Sequence, residues 1–448
     1  MILPYIPAEL EPLLAALAPA FTTPTFRRFV TLLIAAIVTP GRRTIANLLR
    51  TLRGLASGHR TSYQRVLSSA HWSALRLACL LSRFVVRHLL PTGVIALVGD
   101  DTVDGHKGKS VHGKARHRDA VRSSHSYTAW RYGHRWVVLA VLVRFPFATR
   151  PWALPLLIDL YRSAEDNQRR GRPHRTPPQV MRRLLRLMVR WFPERCFVFV
   201  GDGGYGTHEL ARFCQRHRRR LTLVSKFHPK ANLYRPPPPY SGHGRPRVKG
   251  EALPKPCEVV ARRRRLRRLR VNWYGGSTRP VAVVSGAGQW YKSGAGLVAV
   301  GWVYVQDRGG THRAEYFFTT DPSLPAGEIV GYYTARWNIE TTFEEMRSQL
   351  GLETTRGWCE RTVLRAAPCL FGLYTVVAVL YQSLPSSGRA GSIRWPGKRG
   401  ETFSDAVHAV RQWLWSDYLF ARADPQGDLQ KLDPQLRLLI LSSLAPAA

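Results

Sequence analysis

Acidic residues are scarce in this sequence, which has 29 Asp and Glu against 67 Lys and Arg among 448 residues, and so a formal net charge of +38. A surplus of this size concerns the partners of a protein rather than its fold. Nucleic acid is the first partner to expect, because each phosphate that a basic side chain neutralises releases condensed counterions. The basic residues are spread along the chain, with dense groups at 216–220 and 262–270, which favours a long wrapped ligand over one basic tail. A soluble protein from a proteome rich in basic residues, or a ribosome-associated protein, is the alternative.

Cysteine is also rare, and its spacing excludes the common metal and disulfide patterns. The six cysteines contain no CxxC pair and mostly lie among apolar residues, so we expect reduced core thiols rather than zinc ligands or disulfides. Four histidines lie close together in sequence without a recognisable metal spacing: His106, His112, His117 and His125. We interpret them as surface or phosphate-contacting residues.

Long apolar runs are absent as well. No basic stretch precedes the first apolar residues, so a secretory signal is not expected. The most apolar segment, 366–381, is shorter than the roughly 20 residues that a membrane span requires, and it contains Pro368 and Gly372. We therefore predict a buried helix there, no membrane association and a cytoplasmic location.

Five regions follow one another along the chain, and each has its own predicted structure. They are a helical region at 1–90, the first part of an α/β core at 91–229, an all-β insertion at 230–322 that includes a strand at 258–261, the second part of the core at 323–385, and a C-terminal helical region at 386–448. Strand-like and helix-like segments alternate in the core, which is typical of the α/β class. Residues 43–69 have the spacing of a helix-turn-helix motif, although two ordinary packed helices explain it equally well.

Carboxylates follow two predicted core strands and occur on a later helix. Asp100 follows the strand predicted at 94–99, Asp202 follows the one at 196–200, and Glu340 lies on a helix predicted at 326–350. Strand ends can meet in space, and three oxygen donors suit Mg²⁺. Two such ions would activate a water or a 3′-hydroxyl and stabilise the leaving oxygen of a phosphoryl displacement. Each acid also has a simpler explanation, since Asp202 could form a turn and Asp100 could cap the next segment.

The helix that carries Glu340 has two distinct stripes. Along one lie side chains that would suit phosphate chemistry beside a metal ion: Tyr333, Arg336, Glu340, Glu344 and Arg347. The other is apolar: Ile339, Phe343, Met346 and Leu350. The first stripe is explained equally well as a solvated face with favourable ion pairs.

Taken together, these residues resemble the DDE transposases of bacterial insertion sequences, in the insertion-sequence-four-like branch that carries a Tyr-x2-Arg-x3-Glu-x6-Lys signature. Tyr333, Arg336 and Glu340 match that signature at the right spacings. Asp100-Asp101-Thr102 is similar to the first catalytic motif, an Asp-x-Thr, and Asp202-Gly203-Gly204-Tyr205 to the second. The resemblance covers most of residues 25–385, and only its third motif is specific.

The resemblance implies an RNase H-like catalytic core interrupted by an all-β insertion and preceded by an N-terminal helical, DNA-binding domain. It implies Asp100, Asp202 and Glu340 as catalytic ligands of Mg²⁺, or of Mn²⁺. Asp101 is the alternative to Asp100, and Asp104 is a more remote third. The expected reaction is cleavage at the terminal inverted repeats of the element and joining of the ends to target DNA, by a homodimer assembled on double-stranded DNA in the bacterial cytoplasm.

The same resemblance implies DNA contacts for Tyr333, Arg336, Trp337 and Arg347. Trp337 is a candidate for stacking on a flipped base, and core packing explains it equally well. The chain departs from the signature at Arg347, where the family has lysine, and Arg and Lys are not interchangeable at a shaped site. A catalytically inactive DNA-binding relative and a structural RNA-binding protein are the competing hypotheses.

Overall fold

The computed structural model describes residues 7–119, 123–124, 126–240, 242–385, 389, 396–420 and 431–446. Within them, eleven strands form one mixed sheet in the order β2-β3-β1-β5-β6-β11-β10-β9-β7, with β4 paired to β3 and β8 to β9. The strands are β1 Ile95–Gly105, β2 Ala115–Arg118, β3 Trp130–Val143, β4 Trp152–Tyr161, β5 Phe197–Gly201, β6 Leu221–Lys226, β7 Leu233–Tyr234, β8 Arg267–Asn272, β9 Thr278–Lys292, β10 Gly296–Asp307 and β11 Glu315–Thr319.

Helices cover this sheet and pack around it. They are α1 Glu11–Leu17, α2 Thr23–Val38, α3 Ile45–Thr51, α4 Arg60–Ser68, α5 Ala74–Leu89, α6 Ala164–Arg169, α7 Pro177–Trp191, α8 His208–Arg216, α9 Pro256–Ala261, α10 Ala326–Ala335, α11 Asn338–Gln349, α12 Glu360–Ser383, α13 Phe403–Trp413 and α14 Pro434–Leu444, with a π-helical segment at Leu414–Phe420 after α13. The predicted α/β class is confirmed.

Five strands at the centre set the position of the candidate site. They lie in the order β4-β3-β1-β5-β6, in which β4, β3 and β1 are antiparallel neighbours and β1, β5 and β6 are parallel ones. In the parallel part, β5 is apolar and buried along its whole length, as expected for a strand covered on both faces. The helix α7 connects β4 to β5, and α8 connects β5 to β6.

Residues 230–322 extend this sheet rather than forming a separate one. The strand β11 pairs antiparallel with β6, and β10 and β9 follow as a long hairpin. The strand predicted at 258–261 is wrong, because the helix α9 occupies it and the region is not made of strands alone. Pro256 begins this helix, a position where its missing N–H costs nothing, and Glu258 accepts a hydrogen bond from the Lys255 amide at 3.1 Å.

The N-terminal helices share one hydrophobic core with the sheet and α12. Arg365 of α12 donates to four carbonyl oxygens at the end of α4 and the turn after it, including that of Trp72 at 2.7 Å. The two helices of the predicted helix-turn-helix segment are present as α3 and α4. The domain boundaries and the DNA-binding role of this region stay predictions.

One helix in the described part of the chain, α12, is long and apolar enough to cross a membrane by length and composition. Its most apolar window has a mean hydropathy of 1.9, and 72% of that window is buried inside the fold. A core helix passes the same test, and Thr375 of α12 donates to the Pro155 carbonyl of β4 at 2.7 Å. These contacts agree with the prediction of a buried helix.

The single helix predicted at 326–350 is wrong, because the chain tightens at Arg336 and Trp337 and divides it into α10 and α11. Amides there bond to carbonyls three residues back, from Trp337 to Thr334 at 3.3 Å and from Ile339 to Arg336 at 3.0 Å. The Asn338 side chain also donates to the Ala335 carbonyl at 2.8 Å and so competes with the regular helical pattern.

Several predictions about cysteine and histidine also need correction. Cys196 and Cys359 are exposed, so the cysteines are not all core residues. His106 and His117 are buried, against the prediction of surface histidines: His106 Nε2 lies 3.1 Å from Asp104 Oδ2, and the His117 ring lies beside that of Tyr161. His125 lies outside the described residues.

Candidate active site

The strand β1 carries Asp100 in its middle and not at its end. The sequence predicted a strand that stops at 99, but pairing with β3 continues through Gly105. The parallel pairing with β5 does stop at Gly99 and Gly201, which are register partners. Asp100 and Asp202 therefore directly follow two paired residues of neighbouring strands. Neighbouring strands of a sheet lie about 4.8 Å apart.

Neighbouring residues of a strand point to opposite faces, and this separates Asp100 from Asp101. Asp100 faces α10 and α11, where it accepts a hydrogen bond from Arg336. Asp101 pairs instead with Arg135 at 2.6 Å and accepts from the Tyr205 hydroxyl at 3.2 Å. The two acids thus have different partners, and it is Asp100 that lies beside the helix carrying Glu340.

Arg336 joins two of the predicted carboxylates. Its Nη1 donates to Asp100 Oδ2 at 2.6 Å, and its Nη2 donates to Glu340 Oε1 at 2.8 Å. The side chain is only 9% exposed, and its buried Nε has no hydrogen-bond partner among the residues that the structure describes. This guanidinium therefore holds Asp100 of β1 beside Glu340 of α11, although the two acids are 240 residues apart in the sequence.

Asp202 is fixed by the turn that follows β5. Its Oδ1 accepts from the amides of Gly204 at 2.9 Å and Tyr205 at 3.3 Å, and its carbonyl accepts from the Ser225 hydroxyl at 2.6 Å. The turn-forming explanation of Asp202 is thus correct, and it is compatible with a second role. No described donor contacts Oδ2 of Asp202 or Oε2 of Glu340, so both oxygens remain available to a ligand.

The surroundings of Asp100 favour the neutral form of its carboxyl group. Burial raises the pKa of Asp100 to about 7; Arg336 opposes this rise, and the nearby carboxylates of Asp202 and Asp101 add to it. A cation placed among these oxygens would relieve that repulsion. Carboxylate oxygens are also the donors that Mg²⁺ prefers, so the residues present fit a divalent cation.

The three other predicted DNA-contacting residues lie in different environments. Tyr333 is buried and stacks on Phe317, with ring centroids 4.1 Å apart. Arg347 donates to the Thr102 hydroxyl and to Glu353 at 3.1 Å. Trp337 is 50% exposed, so it does not pack in the core. The roles of these residues, and of Arg336, in DNA binding stay predictions.

Two further groups near this site were not identified from the sequence, which offered Asp104 only as a remote alternative to Asp100 and His106 as a surface or phosphate-contacting residue. Glu353 links Arg347 to Arg131 of β3 and so ties the end of α11 to the sheet. Asp104, His106 and His134 form a buried cluster farther along β1. An Asp-x-His pattern on a strand places both side chains on one face, which could have revealed two of its members.

One family of known proteins matches more than half of this chain. A family model described as "DDE superfamily endonuclease" matches residues 16–280, which is more than half of the chain. The matched range includes Asp100 and Asp202 and ends before Glu340. No curated protein matches the chain. Among solved structures, the fold is similar to a piggyBac transposase synaptic complex with hairpin DNA, with a TM-score of 0.40 and 11% identity, over 95% of this chain and 77% of that one.

Proposed function

This chain belongs to the DDE superfamily of endonucleases, and we propose that it acts as a DNA transposase. Its substrates would be the terminal inverted repeats of its own insertion sequence and a target DNA, to which the cleaved ends are joined. The observation that carries the proposal is the meeting of three acids from distant parts of the chain: Asp100 and Asp202 follow register partners of β1 and β5, and Arg336 holds Glu340 beside Asp100.

Asp100, Asp202 and Glu340 would hold Mg²⁺, with Mn²⁺ as the alternative ion. When bound, such an ion activates the attacking water or 3′-hydroxyl and stabilises the leaving oxygen of the phosphoryl transfer. The Gly204 and Tyr205 amides orient Asp202 for this role through its Oδ1. Arg336 positions the other two carboxylates, and once a cation supplies the charge between them, its guanidinium could pair with a DNA phosphate instead.

Further features support a DNA substrate. The net charge of +38 suits a long polyanion. The exposed ring of Trp337, on the same turn as Arg336, suits stacking on a base. The order β4-β3-β1-β5-β6 supports the RNase H-like core that the resemblance implies. The insertion-sequence-four-like branch, assembly as a homodimer on DNA, and a cytoplasmic, membrane-free location belong to this proposal.

A second candidate function is a catalytically inactive DNA-binding relative. The observation that favours it is the Arg336 guanidinium itself, which lies between Asp100 and Glu340 and competes with any cation. The signature departure at Arg347 points the same way, since this side chain is already engaged with Thr102 and Glu353.

An end-cleavage assay separates the two functions. The substrate is DNA carrying the ends that flank the gene, incubated with the full chain and Mg²⁺. Asp202→Asn keeps the Oδ1 acceptor of the turn but removes the charge. Asp321→Asn is the matched control, because Asp321 also forms a turn and accepts from the Ser323 amide at 3.0 Å. Asp321 follows β11, which runs antiparallel to β6, so it lies at the other end of the strands from Asp202.

The proposal predicts cleavage at the repeat tips by the wild type and Asp321→Asn, and at least a 100-fold loss for Asp202→Asn with unchanged end binding. Binding without cleavage by all three proteins, in Mg²⁺ and in Mn²⁺, would establish the inactive relative.

A further inference from the structure

A second group of potential ligands surrounds the end of β1 and begins at Asp104, four residues beyond Asp100 and about 13 Å along the strand. Asp104 lies on the strand, His106 follows its end, and His134 lies on the paired strand β3. The three side chains are almost completely buried, with exposures of 0%, 5% and 3%. This Asp104–His106–His134 cluster has no part in the proposed transposase chemistry.

The distances within the cluster suit ligands of a single ion. Asp104 Oδ2 lies 3.1 Å from His106 Nε2, and Asp104 Oδ1 lies 3.5 Å from His134 Nδ1. One ligand atom from each residue can be chosen so that all lie within 4.8 Å of one another. Two ligands of a tetrahedral zinc ion, each bonded at 2.0–2.1 Å, are separated by roughly 3.3 Å.

The hydrogen bonds of His134 determine which of its nitrogens carries a proton. Its Nε2 lies 2.7 Å from the carbonyl oxygen of His112, which can only accept, so Nε2 must donate. In the neutral ring, Nδ1 then presents a lone pair toward the Asp104 carboxylate. Asp104 Oδ1 also accepts a hydrogen bond from the His134 backbone amide at 3.0 Å, which holds the carboxylate facing Nδ1. A histidine that binds metal through one nitrogen characteristically donates from the other to a carbonyl.

We propose that the Asp104–His106–His134 cluster binds one transition-metal ion, with Zn²⁺ as the best fit, separately from the catalytic carboxylates. Two imidazoles and one carboxylate are a zinc-type donor set, whereas the all-carboxylate site suits Mg²⁺. Three protein ligands leave the fourth tetrahedral position for a water molecule.

The position of the cluster indicates what the ion would do. His106 and His134 join the end of β1 to β3, and the carbonyl of His112 ties in the loop before β2. The outer face of the β2–β3 hairpin carries Arg116 stacked on the exposed Trp130, with the guanidinium 4.3 Å from the ring centroid. The metal would therefore fix the base of a hairpin whose exposed face is basic and aromatic.

Cobalt binding tests this proposal directly and does not depend on transposase activity. Purified full-length protein, freed of metal by a chelator, is titrated with Co²⁺ while the visible d–d absorption is recorded. We expect one equivalent to bind with bands typical of tetrahedral coordination. Zn²⁺ should displace it and excess Mg²⁺ should not.

The variants assign the site. Asp104→Asn and His134→Ala should lose the bands while circular dichroism shows a folded chain. His208→Ala, which changes a buried histidine outside the cluster, and Asp202→Asn should keep them. Absence of the bands in folded wild type, or equal bands in His134→Ala, would mean a cluster held by hydrogen bonds alone and would overturn the proposal. If the ligand variants do not fold, X-ray absorption of the zinc-loaded wild type decides: imidazole ligands support the site, and their absence excludes it.

Discussion

Arg336 is the residue on which the geometry of the candidate site depends most. The sequence predicted it as a DNA contact on an open helical stripe, whereas the structure places it among buried groups with two carboxylate partners. Spacing along a helix could identify Arg336 and Glu340 as neighbours, but it could not reveal Asp100, which comes from a strand 236 residues earlier. The sequence motif named Asp100 and Glu340 as candidates, whereas their shared ion pair with Arg336 is visible only in the structure.

Removing this guanidinium should destabilise the apo protein and increase its response to Mg²⁺. Arg336→Ala leaves the Asp100 and Glu340 carboxylates without their cationic partner. We expect the free energy of unfolding to fall by about 3 kcal/mol. This loss is at the low end for a buried ion pair, because Asp100 can take up a proton. Arg135→Ala, which breaks the more exposed pair with Asp101, should lose only about 1 kcal/mol.

Urea unfolding with and without Mg²⁺ measures both effects. Magnesium should recover much of the lost stability in Arg336→Ala and little in Arg135→Ala. Equal responses of the two variants would show that Arg336 does not stand beside a cation site.

The raised pKa of Asp100 predicts that cation binding depends on pH. Only the deprotonated carboxylate binds Mg²⁺, so affinity should rise as the pH increases through about 7 and fall by up to about tenfold per unit below it. Calorimetric titration with Mg²⁺ at pH 6 and pH 8 measures the change. Asp100→Asn should abolish the dependence and Asp101→Asn should keep it; the reverse result would make Asp101 the ligand.

At the scale of elements, the strands of the core were largely predictable and the breaks in helices were not. The apolar runs that predicted strands at 94–99 and 196–200 correspond to β1 and β5. The extension of β1 beyond Asp100 was missed, because its polar residues are stabilised by pairing with β3 and not by their own apolar character. The division between α10 and α11 likewise depends on the side chain of Asn338, which periodicity does not register.

The helix α11 must be held against the sheet for Glu340 to reach Asp100. Thr342, fully buried, donates to the Ala153 carbonyl of β4 at 2.9 Å. Thr342→Val should cost about 1–2 kcal/mol, because a buried carbonyl loses its donor, and cleavage should fall with it. Thr341→Val is the matched control at a partly buried position whose side chain makes no hydrogen bond among the described residues. Thermal unfolding and end cleavage of both variants check this, and equal losses would refute the anchoring role.

At the scale of the whole molecule, the chain has a large positive net charge, and its described strands form one continuous sheet. Composition was sufficient to predict a polyanionic partner, but not the joining of the 230–322 strands to the core sheet. The two sets of strands are joined where β11 pairs with β6. Lys226 of β6 and Glu315 of β11, which are 89 residues apart in the sequence, also form an ion pair. Such long-range pairing leaves no local pattern in the sequence.

Binding of end DNA should depend steeply on salt. If six or more phosphates are neutralised, affinity should fall by about 1,000-fold or more between 50 and 200 mM salt. Fluorescence anisotropy with the uncleaving Asp202→Asn variant measures this, with double-stranded RNA of the same sequence as the comparison. A shallow salt dependence, or tighter binding of the RNA, would favour the structural RNA-binding hypothesis.

The most direct measurement of the central claim is an anomalous difference map from crystals soaked in Mn²⁺ and recorded at the manganese edge. We predict a peak in contact with the carboxylates of Asp100, Asp202 and Glu340, with Arg336 displaced from at least one of its present partners. Crystals in which these carboxylates acquire no ion, while Arg336 keeps its contacts to both Asp100 and Glu340, would contradict a metal-dependent active site.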